Sequence, residues 1–184
     1  MMPIAPLMIE HRVIEKMITL INTAVPIIEQ TGTVDGVLIE TLADFIRTYA
    51  DRCHHGKEEE ILFRALERKK LVEEHLQIMN ELIEDHKWGR TKVSQLLNAK
   101  NEFLKGKRDA LSETVACLKE FAIFYPKHIE KEDKHFFLPS MDYFSESERD
   151  RMLEEEKEFD KEFIHKIYKE KTLQVKLRLD KQQP

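Results

Sequence analysis

Hydrophobic residues recur every three or four positions along most of the chain, which is the period of one face of an α-helix. This pattern predicts five helical segments, at about residues 7–29, 34–68, 72–103, 108–137 and 145–171. Long helices joined by short connections predict an all-α fold, an up-down four-helix bundle with an additional C-terminal helix packed outside it. The chain has only 5 Gly and 6 Pro, too few for the many turns of an all-β sandwich or barrel.

Polar residues at the segment ends indicate where helices begin. Thr33 or Asp35 could cap the second helix. Ser145 followed by Glu148 is typical of a capped start for the fifth helix. We expect residues 1–140 to form the bundle and residues 141–184 to form the C-terminal helix and a frayed tail.

Composition narrows the classes of protein to consider. The formal net charge is −5 and the basic residues are interspersed with acidic ones, so no nucleic-acid partner is expected. No run of about 20 apolar residues predicts a membrane span. The N-terminus lacks the pattern of a secretory signal, and two cysteines cannot form a disulfide framework. The chain is therefore expected to be cytoplasmic, with free thiols.

Histidine–glutamate pairs on two of the predicted helices are the first sign of chemistry. His54 precedes Glu58 by four residues on the second helix, and His128 precedes Glu132 by four on the fourth. Residues four apart share a helix face, and here that face is the apolar one. A glutamate in a core is costly unless it is paired or bound to a metal.

The two other bundle helices carry an inward histidine each, His11 and His86. A single inward histidine is more often a hydrogen-bonded core residue than a ligand. Inward side chains from all four helices of a bundle, however, are how such folds build core metal sites. Mixed imidazole and carboxylate ligands suit iron, manganese or zinc. The sequence thus predicts one metal centre, with these candidate ligands: His11, His54, Glu58, His86, His128 and Glu132.

The order and spacing of these motifs resemble the hemerythrin-like, or HHE cation-binding, domain family. The four matching stretches read EHRVIEKM, HHGKEEEILF, EDHKWGR and HIEKEDKHFFLP. The resemblance covers about residues 7–140 and leaves the fifth helix outside.

The resemblance implies a non-haem centre of two iron ions bridged by carboxylates. Zinc or manganese is the alternative. Matched residue by residue, it implies terminal ligands at His11, His54, His86 and His128. It implies bridging carboxylates at Glu58 and Glu132.

One position departs from the oxygen-carrying members of the family, which have a further histidine one turn before the one matched by His86. Here that position is Leu82. His55 is the preferred substitute, and Glu59, four residues after it, is another. His75 shares a face with His86 but lies ~16 Å away along the helix, which makes it a poor ligand.

The resemblance also implies a function, for which three alternatives stay open. The chain is expected to bind or sense dioxygen, or a related small oxidant, rather than to turn it over. A di-iron oxidase, peroxidase or nitric-oxide-handling enzyme is the second alternative, favoured somewhat by the histidine missing at Leu82. An iron-responsive regulatory module is the third. A ferritin-like protein is disfavoured, because its Glu-x-x-His spacing is not the one found here.

Overall fold

The described part of the chain, residues 2–180 in this computed structural model, is predominantly helical, and its side chains are described to Phe163 and at Ile167. No strand occurs in that part, so the all-α class is confirmed. The α-helices are α1 (Ile4–Thr31), α2 (Gly36–Phe45), α3 (Arg64–Leu66), α4 (Glu73–Leu104), α5 (Ala110–Lys131), α6 (Phe137–Ser140) and α7 (Glu146–Asp180).

Three π-helical segments, which the sequence did not predict, interrupt this α-helical pattern. They are Ile46–His55 and Glu58–Phe63 between α2 and α3, and Glu132–Phe136 between α5 and α6. A π-helix closes its hydrogen bonds five residues apart, and such segments are frequent at functional sites. The predicted second helix, residues 34–68, is therefore a succession of α and π turns.

Local polar contacts explain the helix boundaries. Asp35, one of the two predicted caps, accepts hydrogen bonds from the backbone N–H groups of Val37 and Leu38. Gly32 ends α1 with a left-handed φ of 62°, which glycine adopts without steric cost. Before α7, the backbone N–H of Ser145 donates to the Glu148 carboxylate at 2.9 Å, as in a capping box. The predicted capped start of the fifth helix is thus present.

The bundle interior consists of two apolar clusters separated by buried polar residues. α5 packs against both α1 and α4, and α2 packs against α4. One cluster includes Ile14 and Phe121, and the other includes Leu62 and Leu82. On each of the four long helical stretches, a buried histidine lies between a residue of one cluster and a residue of the other. The sequence places them at His11, His54, His86 and His128.

α7 lies against the helical turn that follows His55. It contacts the π-helical segment Glu58–Phe63, and the Phe159 ring lies directly over Gly56. A Cβ added at Gly56 would approach Phe159 Cζ to 2.9 Å, so a larger residue there would force the Phe159 ring to shift. The predicted frayed tail lies partly within α7, whose backbone is helical to Asp180, and residues 181–184 lie outside the described part. None of the described helices has the length and apolarity needed to cross a membrane.

Glu156 of α7 gives a testable pH dependence. Its side chain is 2% exposed, and burial raises its pKa from the ordinary 4.5 to about 8. Because the folded state then holds a proton that the unfolded state releases, this group makes the protein less stable as the pH rises from about 4.5 to about 8. We expect Glu156→Gln to be stabilising by a few kcal/mol above pH 8, where the buried charge is removed, and near neutral below pH 4.5. Urea unfolding across this range measures the difference. Glu158→Gln, at an exposed carboxylate of the same helix, serves as the control.

Candidate metal centre

Buried nitrogen and oxygen atoms converge where the two apolar clusters meet. The five histidines and two glutamates there are at most 2% exposed. Their inward atoms make no hydrogen bond of acceptable geometry within the described chain. These atoms are Nε2 of His11, His54, His86 and His128, both ring nitrogens of His55, and both carboxylate oxygens of Glu58 and Glu132. Buried polar atoms without partners are costly, so this arrangement suits a centre whose partners are metal ions.

The side chains form two groups, each able to hold a metal ion. In each group, one ligand atom per residue lies within 4.8 Å of every other. One group consists of His55, His86 and His128, which we call the three-histidine group. The other consists of His11, His54, Glu58 and Glu132, which we call the two-histidine group.

Both glutamates reach from one group to the other. Glu132 places Oε2 3.1 Å from His11 Nε2 and Oε1 3.2 Å from His128 Nε2. Glu58 places Oε1 3.8 Å from His54 Nε2 and Oε2 3.4 Å from His86 Nε2. Each carboxylate therefore presents one oxygen to each group, which is the arrangement a bridging ligand needs.

The π-helical segment Ile46–His55 separates two neighbouring histidines. Cys53, His54 and His55 are all buried, although an α-helix directs successive side chains to different faces. His54 lies in the two-histidine group, with its ring 4.5 Å from that of His11. His55 lies in the three-histidine group, its ring stacked on that of His86 at 3.8 Å. The π turns thus let one helix contribute an imidazole to each group.

Four carboxylates, which we call the outer carboxylates, lie behind the histidines and form a ring around the bundle. Each comes from one long helical stretch and accepts a hydrogen bond from Nδ1 of a histidine on the next. The pairs are Glu10 with His54 at 2.9 Å, Glu59 with His86 at 2.7 Å, Asp85 with His128 at 3.2 Å, and Asp133 with His11 at 2.8 Å. An outward Nδ1–H leaves Nε2 free to face a metal, and such partners orient ligating histidines.

Each outer carboxylate is in turn held by a cation. The cation comes from the same helical stretch as the histidine that the carboxylate holds. The pairs are Lys57 with Glu10, Arg90 with Glu59, Lys131 with Asp85, and Arg12 with Asp133. Arg90 also donates to Asp51 at 2.8 Å, and Asp51 lies 3.4 Å from Nδ1 of His55. The fifth histidine therefore has a carboxylate behind it too.

Burial and neighbouring charges shift the pKa values of the inner groups in opposite directions. Burial and the adjacent Glu132 raise the pKa of Glu58 well above its usual range. Burial also acts to raise the pKa of Glu132, but His128, His11 and His86 outweigh it and lower that pKa. Burial and the stacked His86 lower the pKa of His55 to about 3. Without a metal, these shifts favour the neutral form of Glu58, the charged form of Glu132 and the neutral form of His55, which is the form that binds metals.

All six residues predicted as ligands come together here. His55, the preferred substitute for the missing histidine, lies beside His86 and His128. Glu59 lies behind His86 rather than among the inner atoms. His75 is elsewhere, with its Nδ1 2.8 Å from the Tyr143 hydroxyl.

Sequence reasoning missed most of the outer layer. All four outer carboxylates sit directly beside a predicted ligand in the sequence, as EH at Glu10, EE at Glu59, DH at Asp85 and ED at Asp133. These adjacent pairs were the available signal. They gave no indication that each carboxylate serves a histidine of another helix.

Comparison with known proteins agrees with this geometry. The family model for the hemerythrin HHE cation-binding domain matches residues 2–139, which cover most of the chain. No curated protein and no solved structure matches the chain significantly. The match contains both groups of buried histidines and glutamates and stops before α7. The chain therefore belongs to the hemerythrin HHE cation-binding domain family.

Proposed function

We propose that this protein holds two iron ions and binds or senses dioxygen or a related small oxidant. The observation that carries the proposal is the pair of buried glutamates, each with one oxygen toward the two-histidine group and the other toward the three-histidine group. A single ion would not need two carboxylates that span both groups. Zinc and manganese remain the alternatives, because both also accept imidazole and carboxylate ligands.

In this proposal the ligands divide unequally between the two ions. His55, His86 and His128 would hold one ion, and His11 and His54 the other, with Glu58 and Glu132 shared by both. A pair of ferrous ions supplies the electrons for reversible dioxygen binding. The two-histidine group offers one fewer imidazole, so we expect an incoming ligand to bind there.

The apolar surroundings of the site favour reversible binding over irreversible oxidation. Ile14 and Phe121 of one apolar cluster, and Leu62 and Leu82 of the other, are each at most 2% exposed. Apolar walls exclude water and so slow irreversible oxidation. A cavity of about 220 Å³, lined by residues that include His55, His86 and Tyr125, borders the three-histidine group, which is not the group where we expect the ligand to bind.

His55 bears on the choice between binding protein and enzyme. The enzyme alternative drew support from a histidine missing at Leu82, since a more open iron can take more exogenous ligands. With His55 beside His86 and His128, the number of imidazoles around the centre is five, and that support falls away. We therefore favour binding or sensing over turnover.

The ring of outer carboxylates also supports the finer details of the fold and organisation. It runs from α1 to the α2–α3 stretch, then to α4, to α5 and back to α1, which is the neighbour order of an up-down four-helix bundle. We propose that arrangement, with residues 1–140 as the metal-binding unit, residues 141–184 as its C-terminal extension and the cytoplasm as its location.

Metal content and an optical spectrum test this proposal. We expect protein purified without added metal to carry about two irons per chain. We also expect a visible band that appears with dioxygen and disappears when it is removed. Irons that oxidise once and never recover, or turnover of peroxide or nitric oxide, would favour the enzyme. Absence of stoichiometric metal would overturn the metal centre itself.

A further inference from the structure

Of the four cations that hold the outer carboxylates, only Lys57 is sealed from water. The side chains of Arg12, Arg90 and Lys131 are 52%, 41% and 28% exposed, while that of Lys57 is 0% exposed. The covering element is α7, which lies outside the residues matched by the family. One place in the ring of outer carboxylates is therefore built differently from the other three.

α7 makes a direct polar contact at this place. Lys57 Nζ donates to Asp160 Oδ1 at 2.8 Å and also to Glu10, whose other oxygen is 2.9 Å from His54 Nδ1. A continuous chain of hydrogen bonds thus runs from Asp160 through Lys57 and Glu10 to His54. Glu10, Cys53 and Asp160 also lie close enough together to accept a cation, and Lys57 already supplies one.

Apolar packing fixes α7 beside the same turn. The Phe159 ring lies over Gly56, which stands between His55 and Lys57 in the sequence. Cys53 Sγ is 3.8 Å from Asp160 Oδ1. Phe159 and Asp160 are consecutive, so one turn of α7 provides both the packing and the polar contact.

We propose that Asp160 is a positioning residue that fixes His54 through Lys57 and Glu10, so that α7 determines how firmly the ion of the two-histidine group is held. This inference rests on the metal centre proposed above. It makes α7 a functional part of the centre, acting on the two-histidine group only. No comparable contact joins a described residue of α7 to His55, His86 or His128.

We expect α7 to affect the two ions unequally because of the way in which ligating histidines are held. A ligating imidazole holds its metal well only if its ring is fixed, and the hydrogen bond from its outer nitrogen fixes it. Removing the Asp160 charge leaves Lys57 with Glu10 as its acceptor, and Lys57 can then draw Glu10 away from His54. The histidines of the other group keep their carboxylates, Glu59 and Asp85, which are held by Arg90 and Lys131 and not by a described residue of α7.

The test compares Asp160→Asn with Glu158→Gln, a matched loss of one exposed carboxylate on the same helix. Each full-length protein is loaded with Co²⁺ as the probe and mixed with a chelator. We expect one of two ions to leave the Asp160→Asn protein about tenfold faster, the low end of the effect for groups behind a metal ligand. The second ion should leave at the wild-type rate, and Glu158→Gln should match wild type.

A second readout separates positioning from general loosening. In ¹⁵N-histidine-labelled protein without metal, exchange of the His54 Nδ1–H with solvent should become faster in Asp160→Asn, while that of His128 stays unchanged. Wild-type behaviour in both experiments, or equal loosening of both ions and both histidines, would overturn the positioning role. A wild-type protein that takes up no ion would overturn the proposed metal centre instead, and the exchange measurement would still report on the contact itself.

Discussion

Glu58→Gln is expected to abolish binding of the metal pair while leaving the metal-free fold nearly as stable as before. Glu58 presents an oxygen to each ligand group, so a neutral amide in its place weakens the binding of both ions at once. In the metal-free protein burial already keeps Glu58 neutral, because its pKa is raised well above the usual range. The substitution therefore removes a ligand without removing a charge that the metal-free fold uses.

The magnitude can be read from thermal unfolding. Ligands present at a thousand times their Kd stabilise a protein by about 4 kcal/mol, which corresponds to a rise in Tm of roughly 10 °C for a chain of this size. We expect wild type to show this rise on loading with ferrous iron and Glu58→Gln to show almost none. Glu60→Gln, at an exposed glutamate two residues away, serves as the control. Full metal content in Glu58→Gln would contradict the bridging role.

His55→Leu is expected to remove one ion and leave the other. His55 is the member of the three-histidine group that comes from the helical stretch between α2 and α3. Its loss therefore leaves His86 and His128 as the only imidazoles of that group. The two-histidine group keeps all four of its side chains. We expect the metal content to fall from about two ions to about one, with a loss of affinity at the affected end of at least tenfold to a hundredfold.

A relocated histidine provides the control for His55→Leu. Leu82 is buried and precedes His86 by one helical turn, on the same face of α4. The double variant His55→Leu with Leu82→His should recover a large part of the lost metal, because it returns a third imidazole to the group from another helix. Two tightly bound ions in the single variant would show that His55 is not a ligand.

The six candidate ligands could be selected from the sequence because they obey a local rule. His54 and Glu58, like His128 and Glu132, are four residues apart on an apolar face, and a buried glutamate on such a face needs a compensating partner. His11 and His86 occupy the same kind of position on the other helices. Periodicity and the cost of burying charge therefore sufficed to select all six residues.

Whether the His55 ring faces the metal centre depends on backbone geometry that hydrophobic periodicity does not reveal. A regular α-helix would direct His54 and His55 to different faces, and the sequence could offer His55 only as one of several substitutes. The π-helical turns of Ile46–His55 let both rings point inward, toward different ligand groups. Neither residue composition nor residue spacing predicts these π-helical turns.

The sequence by itself determined the helical class, the helix boundaries to within a few residues except for the end of the fifth helix, and the six candidate ligands. Each follows from hydrophobic period, capping residues and burial of charge along one helix. Only the tertiary structure decided which carboxylate holds which histidine, because each outer carboxylate acts on a neighbouring helix. It also decided that α7 reaches His54 through Asp160, Lys57 and Glu10. Such contacts join residues from 27 to 122 positions apart in the sequence, and they exist only once the helices have packed.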